Sequence, residues 1–554
     1  MFTFAFFIGL YSYVIFYLGF MHLLTTSNIA TATIVWFIAL FMSRKEEMLG
    51  CFKKIISIKP QMRKIFMSPI FWIAFLIFLQ AVVNFIGALG PELAFDALWY
   101  HLTLPKMYLL HQAIYHIPGG LLYYSDMPKL GEMLYTGALA TGNEITAKII
   151  HFSFGLLILI ALYKMSRKFF TPFISFLAVI IFYSNLVVDW ESITAYIDLI
   201  RTFFEILALW GFIEWSEKQQ WRWLVISAVM TGFAIATKVL AFGSLFIFSI
   251  LLVWSSFEMY FQGVDGFKII RNTLSALFIY WLIAVIIPLP WFIFSYIHTG
   301  NPVYPFFSHL YLVHPNSLNL REIILDLWNL FMYSSDPLSP LYLIFFPLLF
   351  VTFSHFSKTL KMIIWYCVVS LLFWYIVPQT GGGRFILPYL PAFSLICAAI
   401  YSEILKKSRI EWKYISKVLI IAIVFVSFIS IGYRVVANKK YIPIIFGAES
   451  KQTFLSQQLN FSYGDFYDTD NYFAEHIKST DTVLLYGFHN LYYINFPFTD
   501  SSWVKKGNAF TYIAVQNGKL PSRFANWQSV YKNDKTMVQL YKPPKGICHS
   551  ICYY

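Results

Sequence analysis

Long apolar segments separated by short basic ones run from residue 2 to about residue 435, and there the pattern stops. A helix crossing roughly 30 Å of hydrocarbon needs about 20 apolar residues. Segments of that order lie near 4–24, 27–43, 68–89, 145–164, 171–188, 196–215, 223–237, 239–256, 273–297, 337–354, 362–377, 385–402 and 417–435. The pattern predicts a mainly α, polytopic membrane bundle of about thirteen transmembrane helices in residues 1–437. Residues 438–554 are mixed and aromatic instead. The stretches 482–486, 511–515 and 537–541 read as strands, with a helix over 470–477 before them. They predict a small C-terminal α/β domain.

Charge then orients the bundle. Arg44, Lys45, Lys53, Lys54, Lys59, Arg63 and Lys64 crowd one loop, 44–67. Further clusters are Lys164/Arg167/Lys168, Lys218/Arg222, Lys268/Arg271, Lys358/Lys361 and Lys406/Lys407/Arg409/Lys413/Lys417. With about thirteen spans all of these fall on one side, which the positive-inside rule makes cytoplasmic. Loop 90–144 and the chain after 436 are then extracytoplasmic, and the expected location is a bacterial inner membrane. The chain is 58% hydrophobic and 12% charged, far from the balance of a soluble globular protein. Its net charge of +13 calls for no nucleic acid, because membrane lipids and the orientation bias absorb it. The apolar start Met-Phe-Thr-Phe-Ala-Phe-Phe lacks a basic leader and reads as a first span. Cys51, Cys367, Cys397, Cys548 and Cys552 have no metal-like spacing; Cys548 and Cys552 are near enough for a small terminal disulfide or a free pair.

Loop 90–144 is too long and too aromatic for a plain connector. Its segment 93–110 has helix-like apolar spacing and is expected to lie along the membrane interface as an amphipathic helix, with Trp99 and Tyr100 at headgroup depth. Asp96 opens that segment just beyond the span 68–89. A carboxylate at the membrane–water boundary suits a general base for an acceptor carried to a lipid-linked substrate; it equally suits a helix cap. Glu92 and Glu132 are alternative or second acids. His101 and Lys106 are candidates for contacts to a phosphate.

Other charges sit at ends of helices on the same side. Glu191 and Asp198 are seven residues apart and share a helical face; such a pair holds a divalent cation or Lys/Arg partners. Without a His or third acid to fix a metal, ion pairing is the expectation; the sequence assigns no certain cofactor and leaves a divalent cation open. Lys238 interrupts an apolar run, and Arg384 follows Gly381-Gly-Gly. Both are candidate cations for a donor phosphate, or simple ion-pair partners of Glu191, Asp198 or Glu132.

Taken in order, several pieces resemble the C-type superfamily of membrane glycosyltransferases. They are Phe95-Asp-Ala-Leu-Trp-Tyr-His-Leu-Thr-Leu-Pro-Lys106, Pro128-Lys-Leu-Gly-Glu-Met-Leu-Tyr135, Thr194-Ala-Tyr-Ile-Asp198, Ala236-Thr-Lys238, Gly300-Asn-Pro-Val-Tyr-Pro-Phe306 and Arg384-Phe-Ile-Leu-Pro-Tyr-Leu-Pro391. Within it the chain looks most like bacterial mannosyl-, galacturonosyl- and aminoarabinosyl-type transferases related to protein O-mannosyltransferases. The resemblance covers about residues 68–400. It implies a polyprenyl-phosphate-linked sugar donor, transfer with inversion on the outer face to a lipid, glycan or protein acceptor, and an acidic base at Asp96. It also implies donor-phosphate contacts at Lys238 and Arg384. Many relatives carry an Asp-Glu pair where this chain has Asp96-Ala97. A ligase or polymerase of lipid-linked oligosaccharide would share these features. A transporter would instead predict repeated halves and mid-membrane charges, and no repeat stands out.

Overall fold

The computed structural model describes residues 1–57, 67–261, 265–310, 319–334, 337–376, 382–544 and 552–554. Lys59, Arg63 and Lys64 of the basic loop, Gly381 and Cys548 lie outside the described residues, as do the side chains of Cys51, Lys53, Lys54 and Cys552.

Among the described residues nine helices are long and apolar enough to cross a membrane: Phe2–Phe20, Thr26–Lys45, Pro69–Ala88, Glu144–Ser166, Val239–Phe257, Gly266–Ile286, Lys358–Ile376, Gly383–Lys406 and Ile410–Ile445. Shorter apolar helices are Pro172–Tyr183, Trp221–Thr237 and Leu341–His355. Helices are the only open-ended solution in lipid, because each backbone group is satisfied within its own segment. The helix Asp198–Lys218 is the most deeply packed, buried from Asp198 to Leu209 without interruption. It lies against Glu144–Ser166 and Trp221–Thr237. Its charges, Asp198, Arg201, Glu205, Glu214, Glu217 and Lys218, keep it from scoring as an apolar span.

Several segments read as unbroken spans are broken: 171–188 stops at Tyr183 and resumes as Leu186–Glu191, and 385–402 passes through the 3-10 turn Leu387–Tyr389. The stretch 273–297 divides into Gly266–Ile286 and Leu289–Thr299, because Pro288 and Pro290 cannot continue a helical ladder. The stretch 337–354 becomes short α and 3-10 turns around Pro347. The helix Leu320–Met332, between those two, was not anticipated from the pattern.

Segment 93–110 is corrected more deeply. It forms a π-helical turn, Ala97–His101, followed by a separate helix, Thr103–His111, rather than one interfacial helix. Leu98, Leu102, Leu104 and Tyr108 are buried, so the segment is sandwiched and does not float on lipid. Its upper cover is the C-terminal region. Lys106 Nζ donates to the carbonyls of Tyr492 (2.7 Å) and Ile494 (2.5 Å) and to Asn495 Oδ1 (3.2 Å). The His489 ring lies on Phe95 and Trp99, with centroids 4.6 and 4.3 Å apart.

That C-terminal region carries a five-stranded sheet in the order Phe498–Asp500, Val483–Tyr486, Tyr512–Gln516, Val538–Lys542, Gln528–Asn533. The first two pairings are parallel and the last two antiparallel. Period-two alternation sends Val483, Leu485, Ala514, Val538 and Leu540 to one face and Leu484, Ile513 and Val515 to the other. The first face joins the core that includes Tyr100, Leu104 and Tyr108. The expected strands and the short helix, Tyr472–His476, are all present.

Candidate active site

The loop that opens the site is fixed from below. Pro69–Ala88 ends with carbonyls that no further turn can satisfy. Lys148, fully buried on Glu144–Ser166, donates to three carbonyls there: Gly87 (3.0 Å), Gly90 (2.7 Å) and Pro91 (3.2 Å). A cation at a helix C-terminus also meets the negative end of its dipole. Glu92 follows, and both of its oxygens are occupied. Oε1 accepts the Leu93 and Ala94 N–H groups at 2.8 Å each, and Oε2 accepts that of Ala195 (2.5 Å). Burial pushes its carboxyl up, opposed by Lys148 and these amides. Glu92 is thus a brace between two loops and does not line the cavity described below.

Asp96 emerges from this brace. It sits at the N-terminal end of the π turn but makes no side-chain cap. Its N–H donates to the Tyr196 hydroxyl (3.1 Å), and its Oδ2 accepts from Arg384 Nη1 (2.9 Å). The Arg384 guanidinium also lies over the Tyr196 ring, 4.8 Å from its centroid. Lys238 holds an extended conformation where Trp221–Thr237 stops, and its Nζ donates to Asp198 Oδ1 (2.7 Å). Glu132, in the first turn of Leu130–Thr141, lies 2.7 Å from His101 Nδ1, and its Oε2 has no hydrogen-bond partner among the described residues.

These groups surround a cavity of about 400 Å³. Asp96, Arg384, Lys238, Glu132 and Lys129 line it with Trp99, Tyr100, Tyr123, Tyr124, Phe306 and Phe385. Tyr100 and Tyr124 stack face to face, 3.6 Å between centroids and 9° between planes, and Trp99 stands edge-on to Tyr124. The lining therefore combines stacked aromatic rings with charged side chains. Its size falls in the roughly 300–1,000 Å³ of small-molecule sites.

Sequence reasoning named Asp96, Tyr100, Glu132, Lys238 and Arg384, and the fold brings all five to this cavity. His101 stands behind Glu132, and Asp198 behind Lys238. Glu191 is farther back, 3.8 Å from His151 Nε2, and Lys106 serves the C-terminal region. Lys129 was passed over. It is buried, donating to the carbonyls of Ser125 and Met127 at 2.5 Å each, and burial lowers its ammonium to about 8 against the pull of Asp126 and Glu132. The signal was present, since a lysine just before an apolar helix in an aromatic loop needs a partner. Among the described residues no three His, Cys, Asp or Glu side chains are grouped to hold a metal ion.

The result is a buried ion-paired pocket in a polytopic helical bundle, roofed by a small sheet. Comparison with known proteins shows what this architecture is similar to. Residues 135–294 match the family model described as dolichyl-phosphate-mannose-protein mannosyltransferase. The crystal structure of ArnT from Cupriavidus metallidurans bound to undecaprenyl phosphate aligns with a TM-score of 0.55 at 11% identity, covering 86% of this chain and 99% of that one. The apo ArnT structure from the same organism aligns at 0.52 and 12% identity, covering 85% and 97%. The archaeal oligosaccharyltransferase AglB from Archaeoglobus fulgidus gives 0.47 at 11% identity, covering 87% and 75%. No curated protein matches the sequence. At these identities the likeness to the two ArnT structures establishes the fold.

Proposed function

We propose that the protein transfers a sugar from a polyprenyl-phosphate carrier to a hydroxyl or amine of a lipid, glycan or protein acceptor, inverting the anomeric carbon. In this reading the cavity faces the extracytoplasmic side of a bacterial inner membrane. The carrying observation is one cavity that holds a carboxylate, Asp96, together with two cations, Arg384 and Lys238, beside a wall of stacked aromatic rings. The family match and the ArnT fold, one crystal of which holds undecaprenyl phosphate, support the same chemistry.

The reaction needs two charges handled at once. The acceptor proton passes to the Asp96 carboxylate as the acceptor atom bonds to the anomeric carbon, and the carbon–oxygen bond to the phosphate breaks. The leaving phosphate gains negative charge, which Arg384 and Lys238 stabilise. In the resting site each cation is neutralised by a carboxylate, Asp96 or Asp198, so a bound phosphate shares cations already desolvated and aimed. The aromatic wall offers flat apolar faces to the C–H face of a sugar ring.

The test is transfer from purified polyprenyl-phosphate sugars by wild type and Asp96→Asn. Loss of a general base slows transfer about 10²- to 10⁴-fold. Normal transfer by a folded Asp96→Asn removes Asp96 from the role, and no transfer by wild type from any such donor overturns the reading.

A further inference from the structure

Below the cavity lies a second polar group that the mechanism above does not use. Arg201 and Glu205 are buried inside the bundle, 1% and 0% exposed, on the same helix as Asp198. Positions 198, 201 and 205 share one helical face, and at 1.5 Å per residue Glu205 lies about 10 Å along the axis from Asp198. Arg201 Nη2 donates to Glu205 Oε1 (3.2 Å) and to the Tyr389 hydroxyl (3.1 Å). Ser244 Oγ donates to Glu205 Oε1 (2.5 Å) and lies 3.1 Å from the Tyr389 hydroxyl. Because Ser244 spends its proton on the carboxylate, Tyr389 donates to Ser244. The four side chains close a ring of hydrogen bonds.

What the ring joins gives it meaning. Glu205 and Arg201 stand on the helix that begins at Asp198. Ser244 is in the first turn of the helix that follows Lys238 and its 3-10 turn Val239–Ala241. Tyr389 ends the 3-10 turn that follows Arg384. Each ring member is thus three to seven residues along the chain from one ion of the site, on or just after the element that carries it. Arg201 and Tyr389 also line a small cavity that shares Leu240 and Phe385 with the main one. Charges at this depth of an apolar bundle are costly to keep and ordinarily mark function. Hydrophobic side chains of similar volume would hold the three helices together as well or better. Directional bonds add something packing does not supply, a fixed register between elements.

We propose that Arg201, Glu205, Ser244 and Tyr389 form a buried positioning cluster that sets the spacing of Asp198, Lys238 and Arg384. The inference rests on the transferase reading for its consequence, since the spacing matters where two cations must meet one phosphate. Misplacement by about 1 Å from a residue remote from the chemistry costs about 10²-fold in rate.

Tyr389→Phe and Ser244→Ala remove only a hydroxyl and are the mild variants; Glu205→Gln and Arg201→Lys are the stronger ones. Three measurements on the full-length protein in lipid nanodiscs decide. Affinity for undecaprenyl phosphate is read by titration, turnover by sugar transfer, and the exposure of Arg384 by phenylglyoxal labelling and mass spectrometry. Tyr389→Phe is expected to lower kcat and carrier affinity about 10-fold or more, with faster labelling of Arg384 and little change in melting temperature. Melting temperatures that fall while affinity, turnover and labelling hold would reduce the ring to a structural fastening and overturn the inference. If wild type neither binds carrier nor transfers sugar, the transferase reading fails. The labelling then still decides the positioning claim: unchanged Arg384 reactivity in both mild variants overturns it.

Discussion

Arg384 Nη1 stands 2.9 Å from Asp96 Oδ2, joining two residues 288 positions apart in the chain. The pair is mostly buried, with side chains 15% and 19% exposed. One ion pair therefore couples the candidate base to a candidate phosphate ligand. On the proposed function, substrate binding at Arg384 and proton transfer at Asp96 are coupled through this contact. We expect Asp96→Asn and Arg384→Gln each to depress transfer strongly, and the double variant to lose less than the sum. The expected coupling is about 0.5–3 kcal/mol, as for residues sharing one network. Additive losses in a double-mutant cycle would mean the contact has no role in turnover.

Lys106 predicts a separable effect. Its ammonium is lowered to about 8 by burial, against the pull of Glu144, and it ties the helix Thr103–His111 to the roof. Lys106→Met leaves the carbonyls of Tyr492 and Ile494 without their donor and should destabilise roof docking by about 2 kcal/mol. Hydrogen exchange across 488–496 should accelerate, while the variant retains carrier-phosphate binding. Unchanged exchange would show that the tether contributes nothing.

Glu92→Gln is expected to behave as a stability variant. The amide keeps one acceptor oxygen for three backbone donors, so a loss of about 1–3 kcal/mol follows. Turnover per folded molecule should stay near wild type. A large drop in kcat without loss of stability would return Glu92 to the list of catalytic acids.

The roof should loosen in acid. Burial among Phe95 and Trp99 holds the His489 imidazole below its ordinary 6.5, with its bond to Asn490 and the charges of Asp96 and Asp465 working against the shift. The folded state therefore favours the neutral ring. As pH falls below 6.5, the undocked form takes up the proton first, and stability is lost progressively down through the depressed value. Buried Asp465 and Asp500 and half-buried Asp468, pushed up by desolvation, contribute with the opposite sign. The difference between wild type and His489→Phe isolates the histidine. Exchange protection across 488–496, corrected for the intrinsic slowing of exchange in acid, should fall more steeply in wild type than in the variant as pH drops below 6.5.

Much of the site was legible because charges are conspicuous in an apolar chain. Asp96, Lys238 and Arg384 each interrupt or border a hydrophobic run, and such residues need a partner or a cavity. Arg201 and Glu205 carried the same signal at i,i+4 inside a helix, yet without Tyr389 and Ser244 beside them they had no visible purpose. Glu92 and Lys106 show the reverse error. Both have the chemistry of a site residue, but Glu92 is consumed by backbone amides and Lys106 by carbonyls of the roof. Those partners are main-chain groups, which every residue possesses and no side-chain pattern announces.

The sequence by itself determined that this is a polytopic helical membrane protein with a small sheet-forming region at its end, since hydropathy over about 20 residues is a local property. It also singled out five of the side chains that line the cavity, Asp96, Tyr100, Glu132, Lys238 and Arg384. Only the tertiary structure decided who faces whom: Arg384 with Asp96, Lys238 with Asp198, His101 with Glu132, and Lys106 with the roof. It also turned an expected interfacial helix into a buried, broken one, because the amphipathic spacing of 93–110 fits lipid and protein cover equally well. Pairing across hundreds of residues follows from how helices pack and where prolines and lysines break them, and no local pattern encodes that.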